Sequence, residues 1–358
     1  MSPRVPTLLC LPLLLWAGAA ARSLARNPRP QRFAAAVVGL IGLTVCLWLP
    51  AALLHAASTF GLMSMLCGAL FLGLPLLSLG MAWGQRGPGR LAAALLALGL
   101  VGVGLYAFRI EPFRLQTPTL RVESPDLESP VRVVLLADVQ TRDVGDWEAR
   151  AFRAAAALEP DLVLFTGDHV QLPDGPAFEA QAARFAQALR DSGLAPRLGM
   201  FAVEGDVDPR AWARVFQGTS VRVLDRSTTL SLDGLTLTAL SPDDSRSPQP
   251  PVPRVDGFHI VMGHSPDFAL ARPPADLLLA GHTHGGQVQL PGFGPLLTFA
   301  AVPRDWASGH TALPWGGDLV VSNGIGLERQ DAPPLRFFCP PEIVVVDLVP
   351  ATIALRED

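Results

Sequence analysis

The densest chemistry in this chain lies in the run Leu279-Ala280-Gly281-His282-Thr283-His284-Gly285-Gly286-Gln287. Residues 276–280 are mostly apolar and are closed by glycine, so they predict a short buried strand. Two imidazoles one residue apart at its end can converge on one point, and imidazole nitrogen is a common ligand for divalent transition metals. Alone, the pair could equally be two loop histidines with no task. Four other stretches repeat the design. Residues 133–137 end in Asp138-Val139-Gln140, and residues 162–166 end in Gly167-Asp168-His169. Residues 198–203 run into Gly205-Asp206-Val207-Asp208, and residues 258–262 end in Gly263-His264. Five apolar strands thus each deliver Asp or His at the C-terminal edge, where ligands sit in α/β sheets.

In this order the runs resemble the calcineurin-like metallophosphoesterases, and within them the membrane-attached bacterial branch of YkuE-like proteins. The pattern there is D-x-H, G-D, G-N-H-[DE], a lone H, and G-H-x-H. The resemblance spans residues 130–348, and its most specific pieces are the GHTHGGQ run, the Gly-Asp after a strand, and the runs 322–326 and 336–343. It implies an α/β domain built as a four-layer αββα sandwich, with two divalent metal ions at the strand ends. One metal would be held by Asp138, Gln140, Asp168 and His284; the other by Asp168, Asp206, His264 and His282, with Asp168 bridging. A hydroxide shared by two such cations attacks phosphorus in line while they neutralise charge on the phosphoryl oxygens.

Two departures from the pattern matter. Gln140 stands where the pattern has histidine, and Asp206 where it has asparagine. Both keep a donor atom, and the set is richer in oxygen, which favours manganese among Mn, Fe, Mg and Zn. Val207 differs in kind: related enzymes carry there a histidine that assists the leaving group or steadies the phosphate, and valine does neither. Two functional classes follow. One is an active phosphoesterase, with His169 as a replacement proton donor or else merely an exposed loop histidine. The other is a membrane protein whose phosphoesterase-like domain binds metal without turnover. The intact ligand positions favour the first.

Elements between these strands are legible too. Residues 146–158 and 177–190 carry Ala and Phe at helical spacing, which predicts helices returning the chain between parallel strands. Residues 228–232 and 235–239 alternate around Asp233-Gly234, a hairpin signal. Residues 241–254, crowded with Pro, Ser and Asp, read as an irregular loop, with a plain surface insertion preferred over a role in substrate access. No internal repeat, Walker-type glycine loop or basic patch for nucleic acid is present.

The first 110 residues contain eight Arg, no Lys and no acidic residue. Apolar spans at 5–21, 33–55, 59–83 and 91–108 are each about long enough to cross a hydrocarbon core, predicting a four-helix membrane domain over 1–110. Ala19-Ala20-Ala21 resembles a signal-peptide cleavage site, but cleavage there would leave four arginines outside. Arg22, Arg26, Arg29 and Arg32 lie between the first two spans, and Arg86 and Arg90 between the last two. Positive loops stay cytoplasmic, so four retained helices send the C-terminal domain to the extracytoplasmic face. Residues 111–130 read as a tether and edge strand, and 131–358 as the phosphoesterase domain. Of the 28 basic residues, 20 lie beyond residue 110 against all 32 acidic ones, a formal charge of −12 there. Such a domain suits polyanions only through metal ions. Closeness to the bilayer points to a lipid-linked phosphate, such as a phospholipid headgroup or an envelope precursor, with a soluble nucleotide or other small phosphodiester as the main rival.

Overall fold

The computed structural model describes residues 5–53, 58–328 and 331–351. The end of the second expected span at 54–55, Ala56 and Ala57 of the uncharged connection after it, and the C-terminal stretch 352–358 lie outside the described residues. Two compact units are formed. One is built on Met1–Ile110 with Glu328–Pro334, the other on Glu111–Leu327 and the chain from Leu335 onward.

The first unit holds four helices long and apolar enough to cross a membrane: Leu9–Arg26, Pro30–Pro50, Thr59–Gly84 and Pro88–Phe113. The third carries a π-helical turn at Ala69–Gly73. Its Gly80 and Gly84 lie against the backbone of Ala21 and Ala25 on the first helix, so close that a Cβ on either would collide with a carbonyl oxygen. Glycines four apart against small residues let two apolar helices approach closely, the way helices pack when lipid removes the hydrophobic drive between them. Leucines such as Leu98 and Leu15 point outward and stay exposed.

The second unit is an α/β domain with two mixed sheets. The chain enters through β1 (Thr119–Ser124), then lays down β2 (Val131–Leu136), β3 (Leu162–Phe165), β4 (Met200–Val203) and β5 (Val221–Leu224). Next come the hairpin β6 (Thr228–Leu232) and β7 (Leu235–Ala239), then β8 (His259–Met262) and β9 (Leu277–Ala280). A two-residue ladder pairs β10 (Gln289–Leu290) with β11 (Gly294–Pro295). Finally β12 (Gly309–Ala312), β13 (Asp318–Val321) and β14 (Val344–Pro350) complete the sheets. The first sheet runs β1-β14-β2-β3-β4-β5, with β2 to β5 parallel; the second runs β12-β13-β9-β8-β7-β6, with β13, β9, β8 and β7 parallel.

Continuous apolar runs form these strands because both faces are covered. On β2, Val133 and Leu135 pack with Ile260, Met262, Leu277 and Leu279 of the second sheet. Val134 and Leu136 pack oppositely, with Phe152 and Phe185 from the helices Asp146–Ala157 and Pro176–Asp191. Those helices follow β2 and β3, so parallel strands bring successive C-terminal ends to one edge. The stretch 241–254 is not wholly irregular: Pro242–Ser245 makes one helical turn, capped by Ser241 Oγ accepting from Asp244 N–H at 3.2 Å.

Candidate metal centre

Seven side chains leave the strands two to four residues past their C-terminal ends. Asp138 and Gln140 follow β2, Asp168 follows β3 and Asp206 follows β4; His264 follows β8, and His282 and His284 follow β9. Both sheets therefore contribute, oxygen donors from the first and imidazoles from the second. Five of the seven sit on left-handed backbone: Asp138 (φ 48°), Gln140 (37°), Asp168 (55°), His282 (71°) and His284 (50°). Non-glycine residues rarely adopt that region, and such strain gathers where surrounding structure over-determines a functional geometry.

The donors fall into two groups. Asp206, His264 and His282 offer atoms within 4.8 Å of one another, and so do Asp138, Asp168 and His284. His264 joins the groups, its Nε2 lying 3.1 Å from Asp206 Oδ1 and 3.4 Å from Asp168 Oδ2. Its Nδ1 is 2.8 Å from the carbonyl of Thr166. A carbonyl only accepts, so Nδ1 carries a proton and Nε2, turned to the carboxylates, is the nitrogen that a cation would take in place of its proton. Asp138 is fixed by His282 N–H, which donates to both its carboxylate oxygens at 3.0 Å. Gly281 is needed beside it, since a Cβ there would come within 2.5 Å of Asp138 Oδ2. Val207 N–H donates to Asp168 Oδ1 at 3.0 Å. Gln140 is fully buried, its amide nitrogen directed at Gln171 Oε1, 3.4 Å away.

Charge explains why this cluster calls for cations. Burial pushes the Asp138 carboxyl up to about 6, with the charge of His264 opposing the rise. Burial also holds Asp168 well above the usual carboxylate range, and nearby Asp208, Asp138 and Asp206 add to the effect. Asp206 moves the other way: burial opposes its ionisation, but hydrogen bonding and charge from His264 and His282 outweigh burial. For His264, burial favours the neutral ring, yet the facing carboxylates hold it up at about 10. Carboxylates crowded this closely disfavour one another's ionisation, and a divalent cation removes that conflict. His284 carries the plainest mark of fit. Its ring is 5% exposed, and neither ring nitrogen has a hydrogen-bond partner. Burial, then the charge of Arg336, keeps it neutral, the form in which imidazole ligates. A buried imidazole with both nitrogens unmet is costly unless something binds there.

His169 requires a correction. It is neither an exposed loop histidine nor placed to protonate a leaving group. The ring is 1% exposed, stacked on Trp212 at 5.5 Å and edge-on to Phe216 at 4.9 Å, and its Nδ1 lies 2.9 Å from Asp208 Oδ2. Apolar contacts won it for the core. Asp208, not singled out from the sequence, gathers the N–H groups of Asp168, His169 and Gly205 at 2.8–2.9 Å. It ties the turn after β3 to the turn after β4. An acidic residue two past Asp206 was the available signal.

Two further groups escaped the sequence. Arg336 is wholly buried and donates to the carbonyls of Asn323, Gly324, Gly326 and Cys339. The segment it holds donates from Ile325 and Gly326 to the carbonyls of Ala137 and Asp138, so Arg336 supports the Asp138 turn. Arg246, from the 241–254 stretch, reaches Asp206 Oδ2 through Nη2. That stretch is therefore part of the centre rather than a plain surface insertion.

No family profile matches this chain. Three relatives do. The uncharacterized metallophosphoesterase YkuE of Bacillus subtilis (strain 168) is 32% identical over 209 residues, covering 53% of this chain and 68% of that protein. The phosphodiesterase YaeI of Escherichia coli (strain K12) is 26% identical over 242 residues, covering 63% of this chain and 84% of that one. An uncharacterized metallophosphoesterase of Aquifex aeolicus (strain VF5) is 29% identical over 205 residues, covering 53% and 73%. With acidic and imidazole donors drawn from five strand ends into two adjoining groups, and with these relatives, the chain belongs to the metallophosphoesterases, in their YkuE-like branch.

Proposed function

We propose that this protein is a membrane-anchored, two-metal phosphoesterase. Asp138, Gln140, Asp168 and His284 would hold one divalent cation; Asp168, Asp206, His264 and His282 the other. The observation that carries this is the pair of adjoining donor groups, with His264 Nε2 turned between Asp168 and Asp206 and both His284 nitrogens unmet. Bound there, two cations would supply Lewis acidity, which makes water a nucleophile near neutral pH and offsets charge on the phosphoryl group. The chain's own residues do the positioning: Thr166 fixes the His264 tautomer, His282 N–H orients Asp138, and Asp208 locks the turns carrying Asp168 and Asp206. Oxygen donors outnumber nitrogens, which favours manganese over zinc. The two sheets and their flanking helices support a four-layer αββα arrangement for residues 131–358, with 111–130 as tether and edge strand and 1–110 as membrane domain.

Lipid-linked phosphate is the favoured substrate class, and a phosphodiester the favoured bond. Five exposed large apolar residues, Leu290, Phe293, Leu296, Leu297 and Phe299, crowd one short segment, and Phe338 is also exposed. An open cleft of about 860 Å³ is lined by Leu290, Phe293 and Phe338. The Phe299 carbonyl, 3.2 Å from His282 Nε2, joins this segment to the donors. Concentrated exposed apolar surface marks an interaction site, and acyl chains match its chemistry.

The test uses full-length protein in detergent with Mn²⁺, assayed on an activated aryl phosphodiester and on lipid phosphoesters, beside Asp168→Ala. The expected result is metal-dependent hydrolysis that Asp168→Ala abolishes; equal rates for the two proteins would overturn it. Hydrolysis of water-soluble esters with none of lipids would remove the lipid class alone. Val207 favours a second reading, metal binding without turnover, and two bound metals with no hydrolysis of any ester would establish it.

A further inference from the structure

The pair formed by Arg246 and Asp206 stands at the edge of the donor groups, and nothing in the metal-ligand set accounts for the arginine. We propose that Arg246 is the side chain that grips a phosphoryl oxygen of the substrate, an inference that rests on the phosphoester reading above.

A phosphoester is an anion entering a centre lined by Asp138, Asp168 and Asp206, so it needs cationic contact from the chain as well as from metals. Among the described residues near the donors, Arg336 is wholly buried and its guanidinium is occupied by backbone carbonyls. His264, His282 and His284 face the carboxylates as ligands. His169 is sealed among aromatic rings. Arg246 alone combines a fixed positive charge, contact with a donor group and access to solvent, its side chain being 41% exposed.

Arg246 ends the helical turn Pro242–Ser245. Ser241 and Ser227 both hydrogen-bond the Asp244 carboxylate, pinning the start of that turn. At its end, fully buried Ser245 accepts from Ser265 N–H, 3.2 Å away, next to His264. The root of the arginine is thus tied to the strand end that supplies His264. Nη2 lies 2.5 Å from Asp206 Oδ2. The other guanidinium donors make no hydrogen bond among the described residues and remain for a ligand. Arginine presents its donors as a planar fork that matches two phosphate oxygens, and Asp206 holds that fork in orientation.

Phosphate binding separates this role from simple charge balance at Asp206. Binding of inorganic phosphate to full-length, Mn²⁺-loaded protein is measured by calorimetry, with bound metal counted in the same samples. Arg246→Ala should weaken phosphate binding and lower kcat/KM by about 10- to 100-fold, with metal content unchanged. Arg246→Lys should recover part of the affinity but not the two-oxygen grip. Phosphate affinity unchanged in metal-replete Arg246→Ala would overturn the proposal, and so would a loss fully explained by lost metal. Activity that Asp168→Ala abolishes but Arg246→Ala spares would refute the arginine's role and leave the phosphoesterase reading standing. No binding of phosphate by loaded wild type would refute the arginine's grip, and no metal-dependent hydrolysis by the same samples would refute the reading it rests on.

Discussion

At the scale of single residues, the centre trades stability for a donor cluster that only cations can relieve. Asp138 shows the trade most directly, because burial pushes its carboxyl up to about 6 from an ordinary 3.8. A raised value in the folded state means folding is favoured by the protonated form. The stabilisation is complete below the unfolded value and is lost as pH rises through about 6. In neutral, metal-free solution the ionised carboxylate is therefore a burden. Asp138→Asn keeps an acceptor for His282 N–H and removes the charge. We expect chelated Asp138→Asn to be more stable than chelated wild type near neutral pH, by roughly 1–3 kcal/mol. The gain should shrink toward zero at about pH 4, where wild type is itself protonated. Added Mn²⁺ should raise the melting temperature of wild type more than that of the variant, since ligand binding to the folded state stabilises by mass action and the variant loses a ligand of one cation only. Thermal melts of both proteins, chelated and loaded, check all three statements; a chelated variant that melts below wild type at neutral pH would contradict the first.

At the scale of elements, strands place the donors and the turns beyond them aim them. Arg336 is the clearest support for one such turn. It lies far along the chain from Asp138, yet its contacts hold the segment whose N–H groups bind the Ala137 and Asp138 carbonyls. Arg336→Met should leave buried carbonyls of Asn323, Gly324, Gly326 and Cys339 unmet and cost about 4 kcal/mol or more. The chelated variant should melt well below wild type, and its Mn²⁺ affinity should fall because Asp138 is less well held; an unchanged melting curve would deny Arg336 this role. The same elements show what a sequence discloses. Strands β2, β3, β4, β8 and β9 were legible because apolar runs of that length, all but β2 closed by glycine, have few other fates. The hairpin of β6 and β7 was legible from Asp233-Gly234. Buried His169 was not, because only packing reveals that Trp212 and Phe216 close over it. Nor was the reach of Arg246, which depends on where the turn Pro242–Ser245 is anchored rather than on composition. Runs 322–326 and 336–343 were recognised as patterns, but their physical task, satisfying carbonyls behind Asp138, needed the fold.

At the scale of the whole chain, charge is divided with unusual sharpness. The first 110 residues carry arginine and no acid, while the remainder carries a formal −12. Four helices of the first unit are long and apolar enough to span a membrane, and six of the eight arginines cluster where the first helix meets the second and the third meets the fourth. Translocating those clusters is disfavoured, whereas acidic residues weigh little in topology, so the proposed orientation sends the −12 unit outward. Such a unit repels anionic substrates at long range and attracts divalent cations. Activity should therefore depend on metal supply outside the membrane rather than on attraction by protein charge. Labelling a single introduced cysteine decides the side. Asp233 lies on the turn between β6 and β7 with its side chain 90% exposed, and among the described residues of that unit the native Cys339 is buried. In intact cells a membrane-impermeant maleimide should label Asp233→Cys promptly. A cysteine replacing Gln31, at the start of the second helix and among the arginines, should react only after permeabilisation. The opposite pattern would place the donor cluster in the cytoplasm, where a lipid-linked substrate would have to be presented from the inner leaflet.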